Sequence, residues 1–407
     1  MTYPGNLFLR FTLAILTVGF IAHIAGILLI SDGSRHTTIS NATLFIPALI
    51  LCICDKPLRE SLISRKYLLI GLMLTFTILI ALTNNNSENP VFAQLKTALY
   101  VILYLATINL LVREGRMEAC LNILFVLAGI SAIASIILQS ILQDQNIFLS
   151  GNRLYSLGYG KYADFKNPII AALFYGFFGI YGFCQLLTKR YSLATILLFS
   201  ACVLGLSIFV YCTFSRGVWL GYGIALCTIA IIHRSARSKK WLLAAAVFAV
   251  AVSIWLLPIL IDQQVRGLSL RDLIWEGWLE RINEFWLTGA GAGRRFEICL
   301  ASDQCFSQAH NLFLQFFYEY GVVGLLLMLS MLVVVFRRSM DRRAWAMPLG
   351  SIGLPLLIFS TITALFDYHT VLNRPGVYWM VFWLPIGVIL STQSLMDAQH
   401  KGTVHAN

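Results

Sequence analysis

Apolar runs recur along the whole length of the chain, and most of them are long enough to cross the hydrocarbon core of a lipid bilayer. Inside lipid every backbone N–H and C=O must be paired within the protein, so only helices and closed barrels can span it. The runs lack the period-two alternation of barrel strands. The sequence therefore predicts membrane-spanning helices.

Polar side chains are too few to cover a soluble globule of 407 residues, since 58% of the residues are hydrophobic and 12% are charged. We predict an all-α integral membrane protein of about twelve transmembrane helices. The first run is too long for a signal-peptide core and is kept as a span. The predicted spans lie near residues 9–30, 40–54, 67–83, 93–112, 119–143, 169–188, 193–213, 217–232, 241–261, 312–336, 346–365 and 377–392.

Lysine and arginine concentrate in alternate loops, so the formal net charge of +11 points to membrane topology rather than to nucleic acid. Basic residues near span ends stay in the cytoplasm, which predicts that both termini are cytoplasmic. On this topology residues 1–261 hold nine spans, residues 262–311 form one large outside loop, and residues 312–407 hold three spans and a tail. The basic loops are at residues 55–66, 113–118, 188–190, 233–240 and 337–343.

The large loop is predicted to contain an amphipathic helix. Ser269 is a candidate N-cap, and the tryptophans Trp275, Trp278 and Trp286 favour a position at the lipid headgroups. Three glycines in "LTGAGAGRR" are expected to end the helix. The apolar residues at helical spacing are Leu270, Ile274, Trp278, Ile282 and Phe285.

Nine cysteines do not form a disulfide framework here, because seven of them sit in or beside spans, where burial explains them. Cys299 and Cys305 lie close together in the large loop, where an oxidising compartment would allow a disulfide. The sequence contains no HExxH, no Walker loop and no CxxC, and it indicates no metal site or cofactor.

Several cations lie on the face that the positive-inside rule depletes, which indicates an anionic partner. Long loops escape that rule, so solvated side chains or contacts to lipid phosphates remain an alternative. Besides Arg216, the outside cations are Arg153, Lys161, Lys166, Arg266, Arg271, Arg281, Arg294 and Arg295.

Three residues stand out as candidates for chemistry, each with a plainer alternative. Arg216 lies on a short turn between apolar runs and either clamps a phosphate group or snorkels to the interface, because burying it in a span would cost roughly 2.5–3.5 kcal/mol. Arg271 opens the amphipathic helix and either binds an anion or pairs with acidic neighbours. His310 is either a general base or an interfacial ring.

In that order the motifs resemble those of the O-antigen ligase and polymerase superfamily of bacterial inner-membrane glycosyltransferases. The matching segments are "TFSRGVWLG" at 213–221, "RDLIWEGW…LTGAGAG" at 271–293 and "HNLFLQFFYEYGVVGLL" at 310–326. From the first to the last, these segments span about a quarter of the chain.

The resemblance implies transfer of a glycan from undecaprenyl diphosphate to a sugar hydroxyl at the periplasmic side of the inner membrane, without metal. In ligases the acceptor is lipid A-core. By position, Arg216 and Arg271 would hold the diphosphate and His310 would be the base. Arg153 is a further diphosphate candidate. Secondary candidates are Lys161, Arg266, Arg294, Arg295 and Asn311.

Other functions remain open at this stage. An O-antigen polymerase or a protein O-oligosaccharyltransferase would share the motifs, and the single large loop favours a ligase. A transporter of an anionic lipid-linked substrate would place ionisable groups near span centres, whereas most strong charges here lie at span ends.

Overall fold

The computed structural model describes residues 6–148, 152–233, 239–240, 243, 270–299, 305–347, 349–366, 368 and 370–404. Within these ranges the regular structure is helical apart from one two-stranded antiparallel hairpin. The hairpin pairs β1 (Ile298–Cys299) with β2 (Cys305–Phe306). The predicted all-α class is confirmed.

The helices before the large loop run in chain order with short connections, apart from a longer loop at residues 143–167. α2 contains a π-helical turn at Asn41–Phe45, and α6 ends in another at Leu138–Leu142. The helices are α1 (Leu7–Leu29), α2 (Gly33–Cys54), α3 (Lys56–Leu62), α4 (Leu68–Thr83), α5 (Val91–Arg113), α6 (Met117–Leu142), α7 (Pro168–Thr188), α8 (Leu193–Cys212) and α9 (Arg216–Ile232).

The rest of the described chain begins with α10 (Arg271–Glu280) and a 3₁₀ turn (Ile282–Glu284), followed by the hairpin. The remaining helices are α11 (Leu312–Ser339), α12 (Arg342–Trp345), α13 (Gly350–Phe366) and α14 (Val377–Val404). α11 is kinked at Gly321, whose backbone is not helical.

Eight helices in the described part are long and apolar enough to cross a membrane, and α4, α9 and α13 are shorter apolar helices. All the predicted spans except one coincide with these helices. The exception, at residues 241–261, falls outside the described residues. The total of twelve spans therefore stays a prediction.

Side chains at the loop ends explain where several helices begin. Asn6 accepts a hydrogen bond from the Leu9 N–H, and Asn167 accepts one from Ile169 just before Pro168 opens α7. Ser192 caps α8 in the same way. These caps pair backbone N–H groups that have no partner within the first turn.

α7 is the central helix of the described bundle, and it packs against α6, α8, α9, α13 and α14. Its aromatic residues Phe174, Tyr175, Phe177 and Phe178 are fully buried. Small residues alternate with them, so that the neighbouring helices approach its backbone closely, as is usual where lipid supplies no hydrophobic drive for helix association.

Alternate loops meet at opposite ends of the bundle. At one end Lys66 pairs with Asp397 (2.7 Å), which joins a predicted basic loop to the last helix. At the other end the Ala163 N–H donates to the Leu28 carbonyl (2.7 Å), and the Asn89 N–H donates to the Ala292 carbonyl (3.0 Å). The large loop and the loop at 143–167 thus share one end, and the compartment which that end faces stays a prediction.

The crossing of α1 and α2 requires glycine at position 19, because a Cβ there would overlap the Thr43 carbonyl. We expect Gly19→Ala to destabilise the protein by about 1–3 kcal/mol, as overpacking usually does. Gly71→Ala is the matched control, since a Cβ on Gly71 meets no described atom within 4 Å. Thermal unfolding of the two variants in detergent tests this, and equal midpoints would contradict the packing argument.

Candidate functional site

The turn between α8 and α9 brings two of the predicted arginines together. Arg153 donates from Nε to the Thr213 carbonyl (2.7 Å) and from a terminal guanidinium nitrogen to Ser215 Oγ (3.2 Å). Arg216 follows directly as the first residue of α9, and it is half-buried. Because a helix N-terminus carries partial positive charge, two guanidinium groups and this helix end together favour an anion.

α10 packs its apolar face against other parts of the protein. Ile274, Trp278 and Phe285 are buried in a small cluster with Phe296 and Tyr318, separate from the main core. The predicted apolar face of the helix is confirmed at Ile274 and Trp278, whereas Phe285 is buried in the cluster from beyond the end of the helix. The cluster holds α10 against the first turns of α11, which supply Tyr318.

Other details predicted for this helix are wrong. Trp278 is not available to lipid headgroups, because it is 2% exposed and its ring packs on Phe285 at 5.1 Å between centroids. Leu270 is the N-cap residue, with φ 62°, and is 38% exposed, so it leaves the buried face. The helix ends at Glu280, well before the glycines at 289–293. The predicted cap Ser269 lies outside the described residues.

His310 is held next to α10. The Trp275 indole Nε1–H donates to the Ala309 carbonyl (3.0 Å), which fixes the residue before the histidine. Arg271 lies four residues before Trp275 and therefore on the same face of α10. His310 has φ 50°, in the left-handed region that non-glycine residues rarely adopt. The large loop thus places Arg271 and His310 together.

The surroundings of His310 favour its neutral form. Burial lowers the pKa of the imidazole below its ordinary value, and the positive charge of Arg271 lowers it further. Both causes act against the imidazolium, because each makes a positive charge at this position less stable. At neutral pH His310 is therefore an uncharged ring that can accept a proton.

Asn311 caps α11. Its Oδ1 accepts hydrogen bonds from the N–H groups of Phe313 (2.9 Å) and Leu314 (3.1 Å), and its side chain is buried. This geometry satisfies two N–H groups of the first turn and sets the direction in which the chain enters the helix. Asn311 therefore positions His310 through the backbone.

Gln315 and Glu319, one turn apart on α11, tie His310 to the glycine-rich turn. The Ala309 N–H donates to Gln315 Oε1 (3.3 Å), and Gln315 Nε2 donates to Glu319 Oε1 (3.0 Å). Glu319 Oε2 accepts from the Gly293 N–H (2.8 Å). The glutamine and glutamate of the third motif thus have a structural role that spacing alone does not reveal.

The glycine-rich turn at residues 289–293 interlocks with the kink of α11. The Ala290 N–H donates to the Tyr318 carbonyl (2.6 Å), and the Gly291 N–H donates to the Glu319 carbonyl (3.2 Å). Gly289 and Gly321 both have positive φ, and a Cβ on either would overlap backbone of the opposite segment. Glycine is therefore needed here for close contact between two backbones.

The loop between α4 and α5 supports the same turn, a contribution that the sequence analysis missed. Asn84 Nδ2 donates to the Gly289 carbonyl (3.1 Å), and Ser87 Oγ accepts from the Ala292 N–H (3.1 Å). These pairs are separated by 205 residues in the chain. The only sequence sign was the density of asparagines in "NNNSENP".

The secondary site residues predicted from the sequence do not lie together in one place. Arg294 is half-buried, with a long hydrogen bond of 3.5 Å to the Ala290 carbonyl, and Arg295 is exposed. Lys161 is exposed and lines a separate cavity of about 460 Å³. Arg266 lies outside the described residues.

Cys299 and Cys305 form a disulfide. They are directly opposite each other in the β1–β2 hairpin, so the bond cross-links its two strands. Next to it, Ile298 and Phe306 pack on the cluster around Trp278. The disulfide thus lies in the part of the loop that supports α10.

The helical bundle and the loops at this end of it define the class of membrane protein to which the chain belongs. The protein is a multi-pass membrane protein whose loops at one end gather arginines, a neutral histidine and an aromatic cluster.

A family model described as O-antigen ligase matches residues 200–329, a segment that contains Arg216, Arg271 and His310. The chain is also 26% identical over 395 residues to a protein from Pseudomonas aeruginosa described as O-antigen ligase. That alignment covers 95% of this chain and 93% of the relative. The two comparisons support the O-antigen ligase family, in agreement with the resemblance of the ordered motifs.

The role of Gln315 can be tested by Gln315→Met, which keeps the length of the side chain but removes both of its polar atoms. We expect a loss of about 1–3 kcal/mol, because the Ala309 N–H and Glu319 each lose a hydrogen-bond partner in a poorly hydrated place. Gln145→Met is the control, since Gln145 is exposed. Thermal unfolding measures both, and a Gln315 variant as stable as the control would refute the linkage.

Proposed function

We propose that the protein transfers an O-antigen glycan from undecaprenyl diphosphate to a sugar hydroxyl of lipid A-core, at the periplasmic face of the bacterial inner membrane. The observation that carries the proposal is the pairing of a neutral His310 with Arg271 at the end of the bundle that also holds Arg153 and Arg216. The family comparisons support the ligase reaction over others.

The two arginine-bearing segments would act on the leaving group. As the bond between the sugar and the diphosphate breaks, negative charge accumulates on the diphosphate. Arg216, Arg153 and the N-terminus of α9 would stabilise that charge from one side and Arg271 from the other. A guanidinium group suits this task because its planar fork can donate two parallel hydrogen bonds to a phosphate.

His310 would act on the acceptor. A neutral imidazole takes the proton of the attacking hydroxyl as the oxygen bonds to the anomeric carbon, and the electron pair of the broken bond leaves with the diphosphate. A single attack of this kind inverts the anomeric centre. One well-placed base contributes typically 10²–10⁴-fold to the rate.

In this mechanism the positive charge at the diphosphate comes from the arginines, so no step uses a metal ion. Within the described ranges no group of three or more histidine, cysteine, aspartate or glutamate side chains is arranged to hold one. The membrane supplies both lipid-anchored substrates by diffusion in its plane. The transferred sugar is left open.

Substitution of the proposed residues should abolish transfer without loss of protein. We expect His310→Ala and Arg216→Ala each to reduce the rate by at least 10²-fold in liposomes containing lipid-linked glycan and lipid A-core. Arg216→Lys should restore little, since an ammonium group lacks the guanidinium fork. Arg342→Ala, an exposed cation at the opposite end of the bundle, is the control. Near-normal transfer by the His310 variant would remove the assignment of the base.

The pH dependence follows from the lowered pKa of His310. The neutral imidazole persists below its ordinary pKa of about 6.5, so activity should be retained at that pH and lost only as the pH falls further. Arg271→Gln should move this acid limb to higher pH in the residual activity, whereas Arg271→Lys should not. The pH profile of kcat/KM measures this, and an acid limb at or above 6.5 in the unaltered protein would contradict it.

A polymerase is the nearest rival, and the products of the reaction separate the two. With donor alone, a polymerase lengthens the lipid-linked glycan, whereas the proposed ligase forms no product until lipid A-core is added. Movement of glycan across the membrane without any covalent product would instead indicate a transporter.

A further inference from the structure

A second polar cavity lies at the same end of the bundle, away from His310. Its volume is about 590 Å³, within the range of pockets that hold small-molecule ligands. It lies between the first turns of α2, the start of α5 and the connection from α13 to α14. Its polar lining includes Ser34, Thr37, Asn89, Lys96, Asn373 and Arg374.

Two cations, Lys96 and Arg374, belong to the described lining of this cavity. Lys96 and Arg374 are exposed, and neither forms an ion pair within the described part of the chain. The described lining contains no carboxylate. At the other end of the bundle, by contrast, Arg113 pairs with Asp55 and Lys189 pairs with Glu118. Lys96 and Arg374 can therefore bind an anion that comes from outside the chain.

The neutral groups of the lining suit a carbohydrate. The hydroxyl groups of Ser34 and Thr97 and the amides of Asn89 and Asn373 can both donate and accept hydrogen bonds, as sugar hydroxyls require. The Thr37 hydroxyl donates to the Gly33 carbonyl (2.8 Å) and can still accept. The Tyr100 ring adds an aromatic surface, and the Lys96 ammonium lies 5.6 Å from its centroid. An anion alone would not need so many neutral hydrogen-bonding groups.

The cavity is connected to the candidate site through its wall. Asn89 lines the cavity, and its N–H donates to the Ala292 carbonyl of the glycine-rich turn (3.0 Å). Gln94, also in the lining, donates to Tyr320 Oη (3.4 Å), next to Glu319. A ligand held in the cavity would therefore contact the same scaffold that positions His310.

We propose that this cavity binds a phosphorylated saccharide, with Lys96 and Arg374 on the phosphate and the amides and hydroxyls on the sugar. Its assignment to the acceptor rests on the proposed function. Arg374 contacts the phosphate through its planar fork, and Lys96 does so as a point charge. The cavity is thus a recognition site for the acceptor, separate from the residues that carry the reaction.

Binding is measured with full-length protein in nanodiscs of zwitterionic lipid. The ligand is core oligosaccharide freed from its acyl chains, either phosphorylated or chemically dephosphorylated. Lys96→Gln and Arg374→Gln should each weaken binding of the phosphorylated form about tenfold, the usual effect of removing one charge-assisted contact. The dephosphorylated form should bind all variants equally. Both side chains are exposed, and unchanged unfolding midpoints confirm that the variants fold.

Arg35→Gln is the matched control, because Arg35 is an exposed cation on α2 that lines the neighbouring cavity. It makes the same change in charge at the same end of the bundle and should leave binding unaltered. An equal loss in the control variant would reduce the effect to general surface charge and overturn the proposal. Loss of bound phosphatidylglycerol from anionic nanodiscs, with oligosaccharide binding unchanged, would overturn it in favour of a lipid headgroup site.

Transfer kinetics separate this proposal from the proposed function. In Lys96→Gln and Arg374→Gln the KM for the phosphorylated acceptor should rise about tenfold, with kcat and the KM for the donor unchanged. Selective binding without any transfer would uphold the cavity and refute the reaction. Transfer with an unaltered acceptor KM and unaltered binding in both variants would refute the cavity alone.

Discussion

Direct backbone contact between the glycine-rich turn at 289–293 and the kink of α11 is the interaction on which the candidate site depends. The N–H groups of Ala290 and Gly291 donate to carbonyls of the kinked helix, and glycine at 289 and 321 leaves room for the approach. Side chains of the α4–α5 loop then brace the turn from the other side. A contact between backbones tolerates little movement, because neither partner has rotamers to adjust. The large loop is thereby joined firmly to the bundle.

The bundle was largely predictable from the sequence. Length and hydropathy located the apolar runs that the described helices occupy, because lipid requires helices of a minimum length. The structure of the large loop was harder to predict from the sequence. Helical spacing correctly indicated a buried face at Ile274 and Trp278, but the preference of tryptophan for headgroups was misleading for Trp278, which is buried in the protein. Periodicity shows that a face is apolar and cannot show whether protein or lipid covers it.

For the candidate site, the order of the motifs pointed to Arg216, Arg271 and His310, and the structure adds what holds them. Trp275 fixes the backbone before His310, Asn311 caps the following helix, and Gln315 links both to Glu319. The cap and the Gln315–Glu319 pair are local, whereas the bond from Trp275 to Ala309 joins residues 34 apart, so spacing could not reveal it. The contribution of Asn84 was invisible for the same reason, since its partner is 205 residues away. Contacts between distant segments require the folded chain.

The bond from Trp275 to the Ala309 carbonyl has a consequence for how such a site would operate in a membrane. It joins α10, which carries Arg271, to the residue before His310, so the fold itself sets how these two proposed site residues lie relative to each other. Binding of the proposed lipid-linked donor would then spend none of its free energy on bringing Arg271 to His310.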